Sequence, residues 1–168
     1  MTDKNLSWAS LANVRGAIKP SDSVLTAKVG IVHLGLGAFH RAHQAIYTED
    51  AMVLGGGDWR ILGVSMRGAG VRDGMQAQDC LYSVTEQSEG IQNARIVGAV
   101  ADVVFGPENS AKVIDAIASA STHVVTLTVT EKGYSHDPAT GALMAQLPEI
   151  INDMDLSNDP KSAMGFVV

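Results

Sequence analysis

V-G-I-V-H-L-G-L-G-A-F-H-R-A-H-Q, residues 29 to 44, is the stretch whose reading decides the fold. An apolar run, Val29 to Leu34, stops at a Gly-x-Gly pair, Gly35 and Gly37. Behind it the pattern turns helical, with Phe39, Ala42, Ile46 and Val53 predicted on one face. Strand, tight glycine turn and helix together open a nucleotide-binding βαβ unit. In such a unit Gly35 permits a turn that a Cβ would obstruct, and Gly37 lets the backbone approach a pyrophosphate. The free N–H groups of a helix starting near Ala38 then meet the phosphates, backed by the positive end of the helix dipole. The glycine pair alone is not specific. The third fingerprint position is His40 rather than glycine, and an ordinary strand-to-helix turn of an α/β protein fits it equally well.

Composition narrows the class. The chain has 168 residues, enough for one domain with a core; 46% are hydrophobic and 18% charged, which fits a buried sheet flanked by helices and argues against disorder. A net charge of −6 and the lack of a Lys/Arg cluster argue against a phosphate-tracking nucleic-acid surface. One cysteine, Cys80, cannot form an internal disulfide, and a reducing, cytoplasmic setting fits. No signal-peptide h-region opens the chain, and no apolar run approaches bilayer length.

In chain order, residues 1 to 28 read as a leader with Trp8 and Leu11 on the body of the protein and a turn at Pro20 to Ser23. The unit from 29 to 168 reads as a Rossmann-type, doubly wound α/β domain with a mostly parallel sheet and an added short β-hairpin. His33 inside the first strand reads as a hydrogen-bonded core residue. The first helix is predicted from Phe39 to Leu54, stopped by Gly55-Gly56-Gly57. His40 and His43 lie three apart, but no further ligand is spaced to complete a metal site. Arg41 is suited to a phosphate or carboxylate, or to a surface pair with Glu49, Asp50 or another acid.

The second strand, Trp59 to Met66, runs into Ser65-Met66-Arg67-Gly68-Ala69-Gly70 with none of the acids that accept ribose hydroxyls in NAD-binding folds. Arg67 is suited to stacking on adenine or neutralising a 2′-phosphate; a solvated loop arginine fits equally well. Gly68 to Gly74 reads as a flexible loop. Leu81 to Thr85 and Ala94 to Val100 read as short strands joined by a polar turn, Gln87 to Asn93, and Cys80 before them as an inert thiol. Pro107 is predicted to begin a helix with Val113, Ile114 and Ile117 inward. Val124 to Thr130 reads as a parallel strand covered on both faces, with Glu131-Lys132-Gly133-Tyr134 at its carboxyl end, where ligands of open sheets gather. A turn at Asp137 to Gly141 precedes a helix from Leu143 to Met154 with Leu147, Ile150 and Ile151 inward, and Asp159-Pro160 is predicted to cap a last helix that stops in its opening turns.

Three strings, G-x-G-A-F-H-R-A-H-Q from Gly35, T-L-T-V-T-E-K-G-Y from Thr126 and P-K-S-A-M-G-F from Pro160, resemble those of the mannitol dehydrogenase family, the long-chain, zinc-independent polyol and uronate dehydrogenases. The T-E-K-G-Y form is closest to the fructuronate reductase branch. The resemblance implies a cofactor site of Gly35, Leu36, Gly37, Ala38, Phe39, His40 and Arg41, with Ser65 and Arg67 after the second strand and Thr130 and Glu131 beside the nicotinamide. Glu131 is the candidate cleft carboxylate for protons or water. NAD is the implied cofactor, but members favouring NAD carry acids where this chain has Ala69 and Gly70, so NADP stays open.

The family also implies a Lys, Asn and His at fixed spacing in a helical C-terminal substrate domain. None of the six lysines here has Asn five residues on, so the catalytic set is absent, the metal set is none, and the chain reads as the incomplete, inactive cofactor portion of a longer enzyme acting on a polyol or sugar acid. The alternatives are an S-adenosylmethionine-binding methyltransferase-like domain, which ordinarily carries an acid at the end of its second strand, or a non-catalytic truncated product.

Overall fold

The run from Val29 to Leu34 is an interior strand of a four-stranded parallel sheet. The computed structural model describes residues 5–88 and 91–168. In chain order the elements are α1 (Trp8–Leu11), β1 (Ala17–Ile18), α2 (Asp22–Thr26), β2 (Val29–Leu34), α3 (Ala38–Ala42), α4 (Gln44–Gly55), β3 (Arg60–Ser65), α5 (Gly70–Gln76), β4 (Tyr82–Ser88), β5 (Ile91–Val97), β6 (Val100–Phe105), α6 (Ser110–Ala118), β7 (Val124–Leu127) and α7 (Pro148–Asp153). The sheet order is β6-β3-β2-β7. His33 lies opposite Gly63 on one side and Thr126 on the other. The chain therefore winds outward from β2 through β3 to β6, then returns to the far side of β2 as β7. The order reverses beside β2, which is where open α/β sheets form their ligand crevice.

Side chains alternate across each strand and fill two cores. Ile31, Ile61, Val100 and Val103 meet Ala45 and Met52 of α4 and Met75 of α5 on one face. Val32, Leu34, Leu62, Val64 and Val104 meet Val113 of α6 and Ala163 and Phe166 near the C-terminus on the other. Val32, Leu34, Ile61 and Val64 are fully buried, each stabilising by about 1.5–3 kcal/mol relative to exposure. A second sheet, β1-β5-β4, stands beside the first. The hairpin β4–β5 is antiparallel, and β1 joins it in parallel, Ala17 opposite Ala94. Residues read as a leader thus build a sheet edge, and their Leu11 and Leu25 pack on Leu81 and Ile96.

Two buried charges join these layers. Arg60 donates to the carbonyls of Leu25 at 3.0 Å, Gly98 at 3.2 Å and Val100 at 3.0 Å, and burial pushes its pKa down. The fully buried Glu49 accepts from the Gly98 N–H at 2.6 Å and from Arg95 at 2.9 Å. Cys80 is buried, and burial raises its thiol to about 11. Among the described residues no helix is long and apolar enough to cross a membrane.

Several expectations are corrected. The first helix is broken at His43, whose φ of −128° and ψ of −82° reset the helical phase. Ala45, Glu49 and Met52 face inward, and Phe39 and Val53 are exposed. Gly70–Gln76 is helix, not loop, because Met75 is buried and Gln76 donates to the Val103 carbonyl at 3.1 Å. Ala94 to Val100 is two strands' worth of chain. Both backbone groups of Gly98 are taken by Glu49 and Arg60, so β5 ends and β6, unforeseen, begins. The hairpin turn expected at 87–93 has its centre, residues 89 and 90, outside the described residues.

The third core helix starts at Ser110, with Pro107 in a preceding 3-10 turn; Ile114 is exposed. β7 is an edge strand, with Val124 43% exposed, rather than one covered on both faces. The late helix begins only at Pro148 and leaves Ile151 exposed. No helix follows Pro160. The Asp153 carboxylate takes the N–H groups of Lys161 at 2.8 Å and Ser162 at 2.9 Å, and this turns the chain back so that Ala163 and Phe166 bury on the sheet.

Gly35, just past β2, has φ +94°, and a Cβ there would stand 2.8 Å from the Thr128 carbonyl oxygen. Gly35→Ala is expected to lower stability by about 2–3 kcal/mol through strain and clash together, read as a shift in urea midpoint; an unchanged midpoint would contradict this placement.

His33 and His40 are both fully buried and their rings stack, with centroids 3.6 Å apart. Burial holds His33 down to about 4; burial, then the charges of His33 and Arg41, hold His40 to about 3. In the unfolded chain both titrate near 6.5. Between these values the unfolded chain binds more protons, so stability is lost as pH falls from about 6.5 toward 4. The expected loss is about 2 kcal/mol per imidazole between pH 7 and pH 5, and His40→Phe should flatten that slope in urea titrations. A slope that His40→Phe leaves untouched would refute the assignment.

Candidate functional site

A cleft of about 860 Å³ opens at the carboxyl ends of β2, β3 and β7. Gly35, Leu36 and Gly37 form its centre, Ser65 to Gly68 with Gly70 and Val71 one wall, and Thr128 to Thr130 with Gly133 the other; Glu149 and the stretch Lys161 to Ala163 complete it. The N–H groups of Gly35 and Leu36 both donate to the Val64 carbonyl, at 2.9 and 3.1 Å, which pins the glycine turn against β3. Leu36 fills the space over Gly63 where a Cβ would otherwise stand, so the turn sits down tightly on the sheet.

The N–H groups of Gly37, Ala38 and Phe39 have no protein acceptor among the described residues. A Cβ on Gly37 would meet a single atom, the Gly35 carbonyl oxygen at 3.7 Å. The fold itself therefore does not need glycine at 37. The space in front of it, and the unpaired amides behind it, fit an anion with bulk, such as a diphosphate.

The turn is also held from beneath by a directed chain of hydrogen bonds. Thr128 Oγ1 donates to the Gly35 carbonyl at 2.9 Å and so accepts from His33 Nε2 at 2.8 Å. His33 Nδ1 is then the acceptor from Thr126 Oγ1 at 2.7 Å, and that oxygen accepts from Gln44 Nε2 at 3.1 Å. One neutral tautomer of His33 satisfies every link. This matches its depressed pKa, and it makes His33 a structural partner of the turn.

Of the residues read from the sequence as a site, Gly35, Leu36, Gly37, Ser65, Arg67 and Thr130 come together on the cleft wall. Ala38, Phe39, His40, Arg41 and Glu131 do not line it. The His40 side chain turns into the sheet, with neither ring nitrogen hydrogen-bonded among the described residues. His43 is exposed, stacks on Phe39 and bonds its carbonyl at 2.8 Å, so the two histidines diverge. Arg41 does not pair with Glu49 or Asp50, which take Arg95; it lies 5.9 Å over the Tyr82 ring, and its Nε donates to the Gly37 carbonyl at 3.4 Å. Glu131 is exposed at the head of a 3-10 turn, one residue past Thr130. Ser65 is buried, and its hydroxyl donates to the Gly68 carbonyl. Arg67 is exposed and reaches across the glycine turn to Thr130 Oγ1 at 3.2 Å.

Glu149, Lys161, Ser162 and Ala163 join the cleft only through the fold. A signal for three of them was present, since they sit in the P-K-S-A-M-G-F string; their approach to the cleft depends on the Asp153 contacts that fold the segment back.

Comparison with known proteins agrees with this geometry. The profile described as the mannitol dehydrogenase Rossmann domain matches residues 29–168. Mannitol dehydrogenase 2 of Saccharomyces cerevisiae is 44% identical over 143 residues, which cover 83% of this chain and 28% of that protein. Mannitol 2-dehydrogenase of Pseudomonas fluorescens, solved as a ternary complex with NAD and D-mannitol, superposes with a TM-score of 0.89 at 34% identity, over 97% of this chain and 34% of the other. A D-sorbitol dehydrogenase in substrate-free form superposes with a TM-score of 0.90 at 30% identity, again over 97% of this chain and 34% of the other. The chain thus spans about a third of the length of these relatives. With a reversing parallel sheet, an open glycine turn at its switch point and these likenesses in sequence and structure, the chain belongs to the mannitol dehydrogenase family and carries its Rossmann domain.

Proposed function

We propose that the cleft holds NAD(H), and that the chain is the cofactor-binding part of an oxidoreductase interconverting a polyol or aldonate with its ketose or ketouronate. D-mannitol/D-fructose and D-mannonate/D-fructuronate are the leading pairs, the second suggested by the T-E-K-G-Y form from Thr130 to Tyr134. The observation that carries the reading is the glycine turn: Gly37 opens onto a cleft at the point where the strand order reverses, and its amide and the two that follow it, of Ala38 and Phe39, have no protein acceptor among the described residues. The ternary complex of the Pseudomonas fluorescens enzyme with NAD and D-mannitol supports the choice of ligand.

When bound, the nicotinamide supplies the hydride acceptor. The residues of this chain bind and orient. The amides behind Gly35 hold the diphosphate, Ser65 and Gly68 shape the wall after β3, and Thr128 and Thr130 form the opposite wall. Glu131, beside Thr130, is the carboxylate we assign to proton exchange with water at the rim. The chain holds no Lys-x-x-x-x-Asn-x-x-His set to stabilise an alkoxide, so by itself it binds cofactor without turning substrate over.

Three outcomes test the reading. The full-length gene product should reduce NAD+ with D-mannitol or D-mannonate; inactivity on every polyol and hexuronate would sink the proposal. The purified 168-residue chain should show no turnover on the same panel, and measurable turnover would refute its inertness. Gly37→Ala should leave the unfolding midpoint in place yet weaken NADH binding by about tenfold or more, by fluorescence titration. Unaltered binding would remove the diphosphate from this turn.

A further inference from the structure

In a dinucleotide-binding sheet the strand after the glycine turn ends beside the adenosine ribose. A carboxylate there accepts the ribose hydroxyls, whereas a nearby arginine accommodates a phosphate on the 2′ oxygen. Here β3 ends at Ser65 and runs on as Met66-Arg67-Gly68-Ala69-Gly70, with no acid. The Ser65 hydroxyl is committed to the Gly68 carbonyl. Two acids packed on this side, Asp73 and Glu108, both bind Arg72, at 2.8 and 2.7 Å, so that cation is already neutralised.

Arg67 is different. It lines the cleft, it is exposed, and it takes part in no ion pair among the described residues. Its bond to Thr130 Oγ1 is to a neutral oxygen, a weaker contact than a guanidinium makes to a phosphate. Beside it, Gly68 and Gly70 line the cleft with nothing within 4 Å of where a Cβ would stand. That leaves room for a group larger than a hydroxyl.

We propose that Arg67, with the Gly68–Gly70 turn, forms a subsite for the 2′-phosphate of NADP(H), so that the chain binds the 2′-phosphorylated dinucleotide at least as tightly as NAD(H). The inference rests on the dinucleotide reading above and specifies which dinucleotide the site admits.

Isothermal titration of the full chain with NAD+ and NADP+ tests it, with ADP-ribose and its 2′-phosphate as probes lacking nicotinamide. NADP+ is expected to bind as tightly as NAD+ or more tightly. Arg67→Ala should weaken NADP+ by about tenfold or more, and NAD+ by a clearly smaller factor. Gly68→Asp, which enters open space, should turn the preference toward NAD+. Thermal unfolding of each variant, followed by circular dichroism, establishes that the folded protein is being titrated. If NAD+ binds ten or more times tighter than NADP+, or Arg67→Ala weakens both alike, the subsite is overturned and the dinucleotide reading stands. If neither dinucleotide nor either probe binds, both fall together.

Discussion

The hydrogen-bond chain from Gln44 through Thr126, His33 and Thr128 to the Gly35 carbonyl is the constraint on which the cleft depends. It ties a helix, an interior strand and an edge strand to one glycine in the left-handed region. Each threonine hydroxyl in it both gives and takes one hydrogen bond, so the direction of every link follows from the last. That direction requires a neutral imidazole. Low local polarity supplies this, because the ring is sealed between the sheet and the stacked His40. The amides left over once the turn is so fixed have no protein acceptor among the described residues.

The same logic of committed backbone groups separates the two sheets. Gly98 gives its N–H to Glu49 and its carbonyl accepts from Arg60, so its backbone bonds to side chains where the chain passes from the hairpin into β6. Buried charges of this kind contribute little net stability against well-packed apolar residues, but they define which register and which neighbour are accepted. Arg60 also reaches back to Leu25 and lies 5.7 Å from the Trp8 ring, which ties residues 8 to 25 to the body.

The core of this arrangement was legible in the sequence. Val29 to Leu34, the Gly35 and Gly37 pair, and the strand ending at Ser65 are local patterns, and local chemistry decides them. What stayed hidden depends on contacts distant in sequence. A strand containing Asp102 reads poorly until Lys112, at 2.8 Å, and Gln76 are seen to satisfy its carboxylate. The helix at Gly70–Gln76 carries two glycines and forms only because Met75 finds a core. His40 looked like a site residue because it sits in the glycine string, yet only its backbone belongs to the turn. Ser162 and Ala163 reach the cleft through a carboxylate at Asp153, a link no periodicity encodes.

Cys80 carries a consequence of its own. Asp79 and Cys80 both adopt left-handed backbone, with φ of 51° and 59°, and the Asp79 carboxylate binds the Trp8 N–H at 2.8 Å, closing the N-terminal layer over this corner. Inside it the lone thiol stays protonated at neutral pH. Because a thiolate is the reactive form, alkylation can proceed only from conformations in which that corner has lifted away. The molecule thus contains its own clock for local opening, readable from the pace of labelling without any introduced probe.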